Sequence, residues 1–148
     1  MESSEPIRPA QRVILARSSV FDVDQVWPIL GAYVELVWSE PLGVTALALA
    51  RRLAHLIETR PVTAGAITLD ALAVPLQVPI GKVLAGLRRL HHHRFIVFDE
   101  QARVIHVSGF APSVPDALAA RLSPYTARIL AGFAHRAVSM MFDGFTSR

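Results

Sequence analysis

The side chains best placed for chemistry are positive charges set among small residues between positions 81 and 89. At about 100° per residue, Lys82, Ala85, Gly86 and Arg89 fall on the outer face of a helix, with Gly81, Arg88 and His92 on its flank. Ammonium and guanidinium groups pair with phosphate, and small neighbours let a helix come close to a phosphate-lined groove. An ordinary solvated helix face has the same charges, so the elements around it must decide. His91-His92-His93 suggests metal binding. Adjacent helical residues point about 100° apart, however, so three in a row do not converge on a tetrahedral ion. Imidazoles meeting the negative end of a helix dipole explain them more simply.

Other chemistry finds less support. The chain carries no nucleophile elbow, phosphate loop or dinucleotide fingerprint. Gly81 to Gly86 encloses Lys82 but follows no strand. Asp22 and Asp24 read as capping residues rather than a paired-carboxylate site. The expectation is a protein that is not an enzyme, with no cofactor and no metal.

Charge is unevenly spread over the 148 residues. The net charge is +3, with −3 in residues 1–40 and +6 in residues 41–148, so the basic cluster lies in the basic half. That favours a polyanionic partner. Lys82 is the one lysine beside fourteen arginines, a bias that a GC-rich genome also produces. Hydrophobic residues at 52% and charged residues at 18% exclude disorder. A single domain of this size buries about 68–70% of its chain's surface. No uncharged stretch approaches the ~18 residues of a membrane span. The start, MESSEPIRP, is acidic and Pro-bearing, where a secretory signal would need a basic start and an apolar run. Without cysteine there is no disulfide framework, thiolate nucleophile or cysteine-based zinc site. A cytoplasmic location is expected.

The elements that must position the basic cluster are legible in residues 67–107, ITLDALAVPLQVPIGKVLAGLRRLHHHRFIVFDEQARVIHV. Thr68 suits the N-cap of a short helix running to Leu76. Gln77-Val78-Pro79 makes a turn, and Pro79 suits the first turn of a second helix over 79–92. Ile80, Val83, Leu84, Leu87 and Leu90 share its inner face. Strands over 95–98 and 104–107 follow, joined by Asp99-Glu100-Gln101-Ala102. Helix, turn, helix and hairpin in that order outline a winged helix-turn-helix, whose second helix fits the DNA major groove.

Around this core, residues 1–20 read as a flexible arm. Residues 21–38 read as one kinked helix or two short ones, capped by Asp22 or Asp24 and interrupted at Pro28 and Gly31, with an apolar face of Trp27, Leu30, Val34, Val37 and Trp38. Residues 44–59 form an amphipathic helix with Ala46, Leu49, Leu53, Leu56 and Ile57 on one stripe. Residues 60–66 read as a loop, and residues 109–112 end the sheet. A short helix spans 116–122. Ser123-Pro124 starts a last helix running to about Met141, with Tyr125, Ile129, Phe133, Ala137 and Met140 facing inward. Trp27 and Trp38 are expected in the core or an interface. A pocket beside either would instead imply effector control.

With these elements laid out, the chain resembles the winged-helix superfamily of bacterial transcription regulators, of the MarR-like and GntR-like kind, and small winged-helix proteins of high-GC Gram-positive bacteria above all. Trp38-Ser39-Glu40-Pro41-Leu42-Gly43-Val44-Thr45-Ala46, followed by Ala50-Arg51-Arg52-Leu53-Ala54, is similar to the lead-in to the family's first helix. Thr68-Leu69-Asp70-Ala71-Leu72-Ala73 is similar to its second helix. Leu84, Leu87, Arg88, Arg89, Leu90 and Phe95-Ile96 resemble the recognition helix and its exit to the wing, and Arg121-Leu122-Ser123-Pro124 resembles the tail beyond. The resemblance covers roughly residues 22–125 and implies the fold and DNA binding. The chain departs from the pattern twice. Arg94 stands where glycine usually ends the recognition helix, and the wing tip carries Asp99 and Glu100, with only Arg103 as a wing cation.

The expected fold is therefore mainly α with a small β-hairpin wing: a winged helix-turn-helix core with flanking N- and C-terminal helices. The expected domains are an arm at 1–20, a winged-helix domain with an N-terminal helical extension at 21–122, and a C-terminal helix for packing or dimerisation at 123–148. The expected function is binding of double-stranded DNA, as a transcriptional regulator or nucleoid-associated factor. Thr68, Gly81, Lys82, Ala85, Arg88, Arg89 and Arg103 are its expected contacts, and a homodimer through the N- and C-terminal helices would suit a symmetric site. The alternative is a winged helix serving as a protein-interaction or adaptor module in a larger complex.

Overall fold

The computed structural model describes residues 12–19, 24–59 and 64–146. Its first strand, β1 (Arg12–Arg17), alternates as a half-covered strand must, with Val13 and Leu15 buried and Arg12, Ile14 and Arg17 outward. β1 pairs antiparallel with β3 (Ala64–Thr68) and parallel with β5 (Val104–Val107), placing Ile14 between Ala66 and Val104. β4 (Ile96–Asp99) closes the sheet against β5, giving the order β3-β1-β5-β4. β2 (Gln25–Pro28) and β6 (Phe110–Pro112) form a second, two-stranded sheet.

This overturns the expectation of a mainly α protein with a small hairpin wing. The fold is mixed α/β, and the hairpin β4–β5 is half of a four-stranded sheet. β5 has two edges, and β1 occupies the one the hairpin leaves open. Residues 12–17, read as part of a flexible arm, are thus an interior strand. The apolar run Val13 to Leu15 is too short for its period to betray a strand. Residues 64–66, read as loop, begin β3, and residues 110–112, read as the sheet's end, pair with β2.

The helix expected over residues 21–38 is also corrected. Residues 25–28 are strand β2, and Pro28 ends it. Helix begins only at residues 32–33, passes through a π-helical turn (Val34–Trp38) and runs directly into α1 (Ser39–Leu42). Asp22 lies outside the described residues, and Asp24 does not cap this helix. Gly43, at φ 80, breaks the chain before α2 (Val44–Thr59), which has the expected bounds. Ala46, Leu49, Leu53 and Ile57 of its stripe are buried. The Arg17 guanidinium donates to the Ile57 carbonyl near the end of α2.

α3 (Leu69–Leu76) and α4 (Ile80–His92) follow, crossing at 102°. Gln77 takes a left-handed φ of 57 to end α3, and Pro79 is the N-cap of α4. Val83, Leu84, Leu87 and Leu90 turn inward onto α2 and meet Trp38, Phe95, Ile96 and Ile105 in one core. α5 (Asp116–Ala119) leads to α6 (Pro124–Thr146). The inward face expected for α6 holds at Ile129 and Phe133 but not at Tyr125. Tyr125 is 76% exposed, Thr126 is buried, and Ile129, Leu130 and Phe133 pack against the core. The Ala137 and Met140 side chains lie outside the described residues. No single helix among the described residues is long and apolar enough to cross a membrane.

Candidate nucleic-acid interface

Thr68 does two jobs at the junction of β3 and α3. Its extended backbone ends the strand, and its hydroxyl accepts the Ala71 N–H at 3.2 Å, capping α3. Three residues, Gln77-Val78-Pro79, then turn the chain into α4. A 102° crossing over a turn this short lies within the ~90–120° of a helix-turn-helix.

α4 presents Gly81, Lys82, Ala85, Arg88 and Arg89 outward, all exposed. Space at Gly81 is open, because a Cβ there would meet nothing within 4 Å. Gly86, read as a small residue easing approach to a groove, is instead buried, with the position of a Cβ 3.1 Å from Leu49 Cδ2. It lets α4 pack closely on α2.

The cations differ in their engagement. Lys82 makes no ion pair among the described residues. Arg88 forks onto the wing: its Nη2 lies 2.8 Å from Glu100 Oε1, and its Nε donates to both oxygens. Hydrogen bonding to Arg88 holds the Glu100 carboxyl below the usual carboxylate range. Arg89 Nη2 donates to the Pro41 carbonyl at 2.7 Å. Arg103, at φ 57 in the hairpin turn, is exposed, and its carbonyl accepts the Ile14 N–H at 2.7 Å. The structure thus gathers Lys82, Ala85, Arg88 and Arg89 on one face, while Thr68 is occupied as a cap and Arg103 stands apart on the hairpin.

The exit from α4 shows how the missing glycine is accommodated. Arg94 adopts φ 65, the left-handed region glycine would favour. Buried Gln25 reaches across from β2 and donates Nε2 to the Arg94 carbonyl at 3.1 Å and the Phe110 carbonyl at 3.0 Å. His91 Nδ1 accepts the Phe98 N–H at 3.1 Å, joining helix to wing. His93 packs 5.4 Å from Trp38, and burial, then the charges of His92 and Arg89, lower its pKa. Trp38 is fully buried and donates Nε1 to the Pro112 carbonyl at 2.8 Å. Trp27 stacks on Tyr33 at 4.0 Å.

Beyond the end of α4 lies an open cleft of about 680 Å³. Arg89 and His92 line one side, Glu40 and Pro41 another, and Leu118, Arg121 and Leu122 the third. Glu40 accepts hydrogen bonds from the Ser123 N–H at 2.7 Å, the Ser123 hydroxyl at 2.8 Å and the Thr126 hydroxyl at 2.8 Å. Those bonds, the Ser123 N–H first, hold its carboxyl low. In the sequence, Glu40 stands out only as part of the lead-in to the first helix and Arg121 only as part of a tail. No local spacing signals either residue, because they meet across 80 positions of chain.

Fold and site together define a helix-turn-helix with a hairpin wing, built into a mixed sheet. Among solved structures, the chain is similar to residues 1–300 of the primosome protein DnaB from Geobacillus stearothermophilus, at 17% identity with a TM-score of 0.52. The match covers 97% of this chain and 53% of that one, so the chain spans about half its length. At that identity the likeness is one of fold. No protein-family model and no curated protein matches, so the resemblance to MarR-like and GntR-like regulators stands on the quoted residues alone.

Proposed function

We propose that the protein binds double-stranded DNA through α4, as a non-enzymatic transcriptional regulator or nucleoid-associated factor of the bacterial cytoplasm. One observation carries this reading: α3 and α4 cross at 102°, leaving a face of Gly81, Lys82, Ala85, Arg88 and Arg89 exposed while the opposite face is buried. A helix held this way enters a major groove about 12 Å wide, small residues inward and cations toward phosphate. The Arg88–Glu100 pair fixes the wing against α4, so Lys82 and Arg89 carry most of the attraction. Two copies joined through α6 would suit a two-fold symmetric site. Val34, Val37 and Trp38, expected on the apolar face of an N-terminal dimer helix, are instead in the core.

Binding of a labelled duplex across a salt series tests the proposal. Log affinity should fall linearly with log salt, and Lys82→Ala should reduce the slope by about 0.9. Absence of binding at low salt would refute it. A second reading, docking onto a protein, is favoured by Val44 and Val74, which are 86% and 70% exposed on the helices beside α4. Under that reading Val74→Glu would abolish complex formation while Lys82→Ala would leave it intact.

A further inference from the structure

We propose that the cleft beyond the end of α4 is a second phosphate seat, in which Arg121 and Arg89 hold the DNA strand opposite the one touched by Lys82. The inference rests on the DNA-binding reading and extends it to a residue outside the helix-turn-helix.

The spacing comes first. Lys82, Ala85, Arg89 and His92 follow one another along a single stripe of α4. From Lys82 to His92 the helix advances about 15 Å at 1.5 Å per residue. That is comparable to the ~12 Å width of the major groove. A helix lying across the groove with Lys82 at one wall therefore brings its last turn, and the cleft, to the other.

The cleft is electrostatically ready for an anion. Arg89 is anchored by one nitrogen to the Pro41 carbonyl, and the rest of its fork of five N–H donors remains for a ligand. Arg121 is exposed, and its side chain makes no hydrogen bond or ion pair among the described residues. Glu40, the carboxylate lining the cleft, is drawn to the start of α6 by Ser123 and Thr126 and pairs with neither arginine. The carbonyls ending α4 are occupied too. Those of Arg89, Leu90 and His91 accept the N–H groups of His93, Phe95 and Arg94 at 3.1, 2.9 and 3.1 Å. Pro41, Leu118 and Leu122 supply an apolar wall beside the charges.

The test is duplex binding by the full chain across a salt series, with Lys82→Ala, Arg121→Ala, the double variant, and Arg128→Ala as a control for loss of one exposed charge outside the cleft. Each of the first two should lower the log–log slope by about 0.9, and their effects should add in the double variant. Arg121→Lys should restore the slope, and Arg128→Ala should leave it unchanged. The seat is overturned, with the α4 reading intact, if Lys82→Ala lowers the slope and Arg121→Ala behaves like Arg128→Ala. If the wild type does not bind duplex even at low salt, both fall. If Arg121→Ala alone lowers the slope, the seat stands and the role of Lys82 falls.

Discussion

Gln25 is the residue on which the α4 exit depends. It is 3% exposed, and its amide donates to two carbonyls, one of them on left-handed Arg94. Removing the amide deletes two part-buried hydrogen bonds, which together contribute about 1–3 kcal/mol at about 0.5–1.5 kcal/mol each. Gln25→Ala should lower stability by that amount in urea denaturation, and a loss below ~0.5 kcal/mol would mean the Arg94 turn holds itself. Glu40 and Glu100 make a second prediction. Both carboxyls titrate lower in the folded chain, Glu40 chiefly through the Ser123 N–H and Glu100 through Arg88. In acid the unfolded chain therefore binds more protons. Their contribution is present above the unfolded carboxylate value of about 4.3 and is lost as pH falls through their lower folded values. Thermal melts from neutral pH into acid should show Tm falling through that window, and falling less steeply for Glu40→Gln/Glu100→Gln. An unchanged acid slope in the double variant would refute the assignment.

At the scale of elements, the α2–α4 contact decides how the candidate groove-binding helix is held. Gly86 sits in that contact, with Leu49 Cδ2 3.1 Å from where a Cβ would lie. Leu49 has a flexible end, and alanine raises helix propensity by about 1 kcal/mol over glycine, so Gly86→Ala should be nearly neutral. Gly86→Val adds two branches to a packed interface and should cost about 1–3 kcal/mol. Because Gly86 faces inward, duplex affinity of the folded Gly86→Val protein should match the wild type. A loss of affinity without loss of stability would return Gly86 to the binding face. The periods of α2 and of the inner face of α4 were readable because their stripes are long. On α6 the period placed Ile129 and Phe133 inward and erred at Tyr125, where the neighbouring Thr126 is buried instead and its hydroxyl donates to Glu40.

For the whole molecule, the consequence is that the wing is not an appendage. β5 is clamped between β4 and β1, and His91 and Arg88 tie the hairpin to α4. On the proposed DNA-binding reading, helix and wing would meet the duplex as one surface, with the salt dependence set by Lys82, Arg89 and Arg121 together.

What the sequence determined by itself was local. Hydrophobic period, the Thr68 cap, the Gln77-Val78-Pro79 turn and the alternation of β4 and β5 are all written in neighbouring residues, and they defined the helix-turn-helix and its hairpin. What only the tertiary structure decided was pairing at long range. Whether Val13 to Leu15 is an arm or a strand depends on the free edge of β5, 90 residues away in the chain. Whether residues 25–28 are helix or strand depends on β6. Which arginines remain available depends on Glu100 and Pro41. Strand edges, burial and charge pairing are properties of residues brought together by folding, and no period within one segment encodes them.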